Sequence, residues 1–203
     1  MNHLHAPTAL GYTDWLAAQR LSASRLRRFF AHPFKNALIG ALRKTGGKMR
    51  VAAPLFWQHR FNGFIPEAVT SLVWRHAFYE QATTYFLLKH LKPGDVFVDI
   101  GAHFGYFTLL ASSIVGDTGK VVAIEAMPAT FAQLQKNIAA NALTNVTARN
   151  MAAYSSACTL HFKHFDPVYS SLNTCGEVRG VLEGKTKNVP MIDVAAMTAD
   201  AML

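Results

Sequence analysis

The run Val96 to Leu110, VFVDIGAHFGYFTLL, holds the residues best placed to do chemistry. An apolar strand ends in Asp99, turns through Gly101 and Gly105, and enters an apolar helix at Tyr106 and Phe107. Glycines let a backbone approach a ligand closely, and a helix start offers unpaired N–H groups. Glu125 closes the next apolar run, 20 residues beyond Gly105, where a carboxylate accepts hydrogen bonds from ribose hydroxyls. That pair of features predicts an adenosine site, with Ala102, His103, Ala126 and Met127 as its flanking backbone. His103 stands where a dinucleotide fold needs a glycine to admit the pyrophosphate. Asp99 suits a cationic amino group better than a phosphate. The residues therefore favour S-adenosylmethionine over a nicotinamide dinucleotide. For each of them a structural duty is the alternative: a strand-to-helix turn for the glycines, a solvated strand end for Glu125, and backbone positioning for His103.

Stepping outward, the order is strand Val96 to Ile100, helix Tyr106 to Val115, strand Val121 to Glu125, helix Pro128 to Ala140 and strand Val146 to Met151. Such alternation builds parallel βαβ units, whose strands are covered on both faces and run continuously apolar. The fold class expected is α/β, Rossmann-like. A preceding helix is read over Ala77 to Leu91, stopped by Pro93-Gly94. Thr159 to Phe165 and Val189 to Val194 alternate and read as short strands or a hairpin. Residues 1–76 form a basic, mostly helical extension, helical to about residue 50 with a break at Gly46-Gly47 and a mixed stretch around Pro54, Gly63 and Pro66. Residues 77–203 form the cofactor domain.

The chain has 203 residues, 51% hydrophobic and 16% charged, which fits one globular domain with a sizeable core. The net charge of +8 is uneven. Residues 1–90 carry 12 Lys/Arg against 3 Asp/Glu, whereas residues 91–203 carry 8 against 9. A basic N-terminal face suits an acidic membrane surface or nucleic acid, and serves equally as a solvated face or as a helix packed on its own domain. Cys158 and Cys175 have no metal-type cysteine neighbour, and the N-terminus shows no secretory pattern, so a cytoplasmic location is expected. No apolar run reaches the roughly 20 residues of a membrane span.

The stretch LKPGDVFVDIGAHFGYFTLLASSIVGDTGKVVAIEAMPATFAQLQKNIAANALTNVTARNMAAYSS, residues 91–156, resembles the cofactor half of the FkbM-type methyltransferases. That family writes its turn DIGANxG, follows with an acidic phrase like FEP, and places Asn then Ala after the third strand. The resemblance assigns Asp99, Gly101 and Gly105 to the turn, Glu125 to the ribose, and Asn150 and Ala152 to the adenine side. His103 departs from the family's Asn, and Ala126-Met127-Pro128 from its shorter junction. The resemblance implies S-adenosylmethionine as cofactor and O-methylation of a hydroxyl on a sugar or small metabolite. Family members continue to a phrase resembling KIDVEG and further strands; this sequence stops at Leu203. A missing acceptor half implies a fragment, a partner chain or homo-oligomer completing the sheet, or a non-catalytic remnant acting as a binding protein.

Other signals are weaker. His161 and His164 are three apart, a metal spacing on a helix, but the segment reads as a strand and no metal is expected. Ser170-Ser171-Leu172 resembles an acceptor-side phrase and serves equally as a polar turn. No Gly-x-Ser-x-Gly elbow, P-loop or Asn/Asp-Pro-Pro-aromatic phrase occurs, which disfavours serine hydrolysis, P-loop chemistry and nucleic-acid methylation.

Overall fold

A computed structural model of the chain describes residues 11, 32–165, 175 and 189–202. Of the helix expected to about residue 50, residues 1–10 and 12–31 lie outside the described residues, as do Ser170 to Leu172. Helix α1 spans Pro33–Thr45, with Pro at its first turn and Gly46 ending it at φ 69°. The stretch that reads as mixed forms an antiparallel hairpin, β1 (Met49–Pro54) and β2 (Arg60–Ile65). Helix α2 (Ala68–His76) follows, and its first amides are capped by the fully buried Glu67, which accepts from Val69 N–H at 2.8 Å and Thr70 N–H at 2.6 Å. Gly63 has no room for a side chain, because a Cβ there would collide with Thr70.

Helix α3 (Gln81–His90) leads into the α/β unit: β3 (Val96–Ile100), α4 (Tyr106–Val115), β4 (Lys120–Ile124), α5 (Pro128–Ala140) and β5 (Val146–Arg149). The three strands are parallel in the order β3-β4-β5, the expected Rossmann-like architecture. Central β4 runs KVVAI with Val121, Ala123 and Ile124 buried, because a middle parallel strand is covered on both faces. Leu109 and Leu110 of α4 are fully buried beside Phe61, Val73, Leu87 and Tyr106, so the hairpin and α2 share a core with the parallel sheet.

Polar side chains fasten that junction. Asn137 of α5, fully buried, accepts from Asn62 N–H at 2.9 Å and donates to Asn62 C=O at 2.9 Å and Phe104 C=O at 2.8 Å. Asn141 repeats the exchange with Arg60. The remaining strands, β6 (Ala152–Ala153), β7 (Cys158–Lys163) and β8 (Met191–Met197), form a second sheet in the order β6-β8-β7, and α6 (Ala199–Met202) ends the described chain. Strands β7 and β8, expected as short strands or a hairpin, pair antiparallel, and β8 lies parallel to β6. His161 sits on β7, its Nδ1 2.6 Å from Asp193 Oδ1 on β8. Among the described residues no group of three or more His, Cys, Asp or Glu side chains gathers as a metal site requires, and no helix is long and apolar enough to cross a membrane.

Candidate cofactor site

The β3–α4 turn closes on itself through its own amides. Gly101 and Ala102 N–H both donate to Ile124 C=O, at 2.8 and 3.0 Å, and Gly105 N–H donates to Ala102 C=O at 2.8 Å. These groups are therefore spent on joining β3 to β4, and recognition falls on side chains and open space. Gly101 has φ 77°, and nothing lies within 4 Å of where its Cβ would be. Gly105, at φ 91°, is a different case: a Cβ there would sit 2.5 Å from Leu134 Cδ1, so its smallness lets α5 pack against the turn.

Asp99 is buried at the end of β3 and accepts from the Thr108 hydroxyl at 2.5 Å and from the Thr108 N–H. Burial pushes its carboxyl above the usual range, and the Thr108 bonds oppose that shift. This aspartate ties the end of β3 to the first turn of α4 through the Thr108 hydroxyl. Glu125 accepts from His103 N–H at 2.9 Å through Oε2 and from Met127 N–H at 2.9 Å through Oε1. Its carboxyl is also raised by burial, and further by the charge of Asp99, against the opposing Met127 and His103 bonds. Each oxygen has one lone pair left for a ligand hydroxyl.

His103 holds φ 52°, an uncommon region for a non-glycine residue in which histidine is enriched. Its N–H serves Glu125 and its ring stacks on Phe104 at 4.1 Å and 24°. Burial lowers the imidazole to about 4, so the ring is neutral at pH 7. Asn150 donates through Nδ2 to Glu125 C=O at 2.8 Å and Ala126 C=O at 3.0 Å, which fixes the backbone after β4.

Together these elements line one cavity of about 480 Å³ at the carboxyl ends of β3 and β4. Of the residues singled out from sequence, Asp99, Gly101, Ala102, His103, Tyr106, Phe107, Glu125, Ala126, Met127 and Ala152 line it. Gly105 and Asn150 stand behind it, one as a packing glycine and the other as a backbone brace. Sequence reasoning missed Val69, Tyr79 and Glu80, which reach the cavity from α2 and the start of α3, and Met151 and Phe162 on its other side. Tyr79 packs at 5.9 Å from Tyr106 and 6.0 Å from Phe107, and burial with a hydrogen bond to Glu80 pushes its phenol up to about 12. The wall thus carries three carboxylates, Glu80, Asp99 and Glu125, and among the described lining residues no Lys or Arg.

Comparison with known proteins falls on this segment. Residues 64–155 match the family described as Protein-L-isoaspartate(D-aspartate) O-methyltransferase. The fold and the site-bearing segment are of the S-adenosylmethionine-dependent methyltransferase type. Protein-L-isoaspartate O-methyltransferase 1 of Arabidopsis thaliana is 41% identical over 56 residues, which is 28% of this chain and 24% of that protein. The match therefore spans about a quarter of the length of that relative. Among solved structures, a SAM dependent methyltransferase from Aquifex aeolicus overlaps at 25% identity over 32% of this chain and 36% of its own, with a TM-score of 0.30. A protein-L-isoaspartate O-methyltransferase overlaps at 17% identity over 59% and 42%, with a TM-score of 0.39. None of these matches is to the FkbM type.

Proposed function

We propose that the chain binds S-adenosylmethionine in the β3–β4 cavity and takes part in methyl transfer to an oxygen nucleophile. The observation that carries this reading is the charge of the wall: three carboxylates and no described Lys or Arg. S-Adenosylmethionine bears a sulfonium and an ammonium against one carboxylate, so its net charge is positive and the wall attracts it. A dinucleotide's pyrophosphate is doubly negative and the same wall repels it. In this reading Glu125 holds the ribose hydroxyls with its remaining lone pairs, and Met127, Met151 and Ala152 flank the adenine. Asp99, Gly101 and Ala102 form the floor under the methionyl part, with His103, Tyr106 and Phe107 beside it, while Gly105 and Asn150 keep the turn and the β4 exit in place.

The sulfonium, once bound, supplies an already activated methyl group. What the protein's residues contribute is alignment of oxygen, carbon and sulfur and exclusion of water. The neutral His103 imidazole carries no charge to repel the cation at pH 7. The matched family and the Arabidopsis relative are named for protein-L-isoaspartate, which makes a protein carboxylate oxygen the acceptor to test first. The FkbM resemblance supports a hydroxyl of a sugar or small metabolite as the second reading. The absence of Lys and Arg from the described lining favours that second acceptor, because a neutral hydroxyl needs no cationic partner.

Transfer of tritium from methyl-labelled S-adenosylmethionine tests both acceptors. Base-labile label on an isoaspartyl peptide supports the first, and base-stable label on a hydroxyl compound supports the second. Loss of both transfers alongside intact binding leaves a cofactor-binding protein and ends the enzyme reading for this chain.

A further inference from the structure

Resting on the cofactor reading above, the geometry points to Glu80 as the residue that binds the α-ammonium of the methionyl end. Asp99, which the sequence pattern offers for that duty, is poorly placed for it. It is buried, with its Oδ2 engaged by the Thr108 hydroxyl of the first turn of α4, whereas Glu80 is exposed at the cavity. Glu80 is the carboxylate on the same side of the cavity that has no such duty. It stands at the start of α3, where an acidic side chain would ordinarily cap the helix, yet it makes no capping bond to the backbone. Its Oε2 accepts instead from the Thr83 hydroxyl at 3.1 Å.

The backbone beneath it is held in an unusual state. Glu80 has φ 42° and ψ 77°, a left-handed conformation that costs an L-residue energy unless its surroundings impose it. They do: Thr84 N–H donates to Glu80 C=O at 2.9 Å, and the Thr84 hydroxyl donates to Tyr79 C=O at 2.6 Å. The Tyr79 ring, packed on Tyr106 and Phe107, ties this corner to the first turn of α4. The carboxylate is exposed at the cavity and already oriented by the Thr83 hydroxyl.

Position along the sheet completes the argument. Glu125 directly follows central strand β4, and Met127 and Met151 lie on the β4–β5 side. A ligand with its ribose on Glu125 and its adenine between those methionines directs its amino-acid end past Gly101 toward β3 and α3. Glu80 is the carboxylate it meets there.

The test is calorimetric titration of the wild-type chain and of Glu80→Gln with two probes, S-adenosylhomocysteine and 5′-methylthioadenosine, the second lacking the amino-acid end. Glu80→Gln is expected to weaken S-adenosylhomocysteine by about tenfold, the usual size of a charge-assisted contact at an exposed site. Methylthioadenosine should bind wild type and variant alike, within about twofold. Thr83→Val, which keeps the side-chain shape and removes the orienting hydroxyl, should give a smaller loss confined to the same probe. Equal affinities of wild type and Glu80→Gln for S-adenosylhomocysteine, or equal losses for both probes, overturn the assignment while leaving the cofactor reading intact. Failure of the wild type to bind either probe brings down both. A circular-dichroism melt of Glu80→Gln matching wild type excludes unfolding as the cause.

Discussion

Gly101 and Gly105 share a turn and a positive φ, yet the structure separates their duties, and alanine at each position should separate two measurements. Alanine at φ 77° or 91° pays a left-handed strain of about 1–2 kcal/mol, partly offset by about 0.4–1 kcal/mol from a less flexible unfolded chain. For Gly101→Ala nothing else is added, because nothing lies within 4 Å of the new methyl, so a net loss near 1 kcal/mol is expected. Gly105→Ala drives a methyl to 2.5 Å from Leu134 Cδ1 and 3.3 Å from Leu109 Cδ1, both side chains fully buried. Overpacking of that kind costs a further ~1–3 kcal/mol, for a total of roughly 2–4 kcal/mol. At about 2–4 °C per kcal/mol for a chain of this size, Gly105→Ala should melt roughly 4–16 °C below wild type and Gly101→Ala within about 4 °C of it. The ligand effect should run the other way. The Gly101→Ala methyl enters the cavity and should weaken S-adenosylhomocysteine by about tenfold in calorimetry, about 1.4 kcal/mol. Denaturant and thermal melts by circular dichroism read the first quantity. Equal destabilisation by the two alanines, or a Gly101→Ala protein that binds as wild type does, refutes this division of labour.

His103 should remain neutral down to about pH 4, readable from its imidazole ring shifts by NMR; titration near 6.5 contradicts its burial. Because the folded pKa lies below the unfolded 6.5, this group's contribution to stability is complete above pH 6.5 and is lost as pH falls through about 4. The buried carboxyls Glu67, Asp99 and Glu125 have raised pKa values and the opposite sign: their advantage is present while protonated and is lost as pH rises through those values. Glu67→Gln should therefore flatten the decline of stability on the high side of the carboxylate range, and a denaturation profile between pH 4 and 7 unchanged from wild type speaks against it. Asn137→Ala removes three hydrogen bonds between α5, the hairpin and Phe104, and should cost about 2–4 kcal/mol in urea denaturation. A loss under about 0.5 kcal/mol contradicts that role.

The parallel unit was legible because its signals are local. Strand Val96–Ile100 and helices Tyr106–Val115 and Pro128–Ala140 have the bounds read from their sequence, set by an apolar run, Gly105, Pro128 and Gly116. The hairpin was not legible, since Met49–Pro54 carries neither strong alternation nor a tight-turn dipeptide, and its stability rests on bonds from Asn137 and Asn141, far along the chain. Glycine spacing marked the cavity floor but could not distinguish Gly101, facing open space, from Gly105, facing Leu134. Glu80 escaped notice for a related reason: the helix expected over Ala77 to Leu91 enclosed it, whereas the helix starts at Gln81 and leaves Glu80 outside at φ 42°. The FkbM resemblance and the isoaspartate match agree on the cofactor segment and part at the acceptor, the part of a methyltransferase that a cofactor turn does not encode.

The most direct test of the central claim is titration of S-adenosylhomocysteine and of NADH, separately, into the wild-type chain and Glu125→Ala. The account predicts wild-type binding of S-adenosylhomocysteine with a Kd on the order of micromolar, about 8 kcal/mol, weakened at least tenfold in the variant, and no binding of NADH. A folded wild-type chain that ignores S-adenosylhomocysteine, or that prefers NADH, contradicts it.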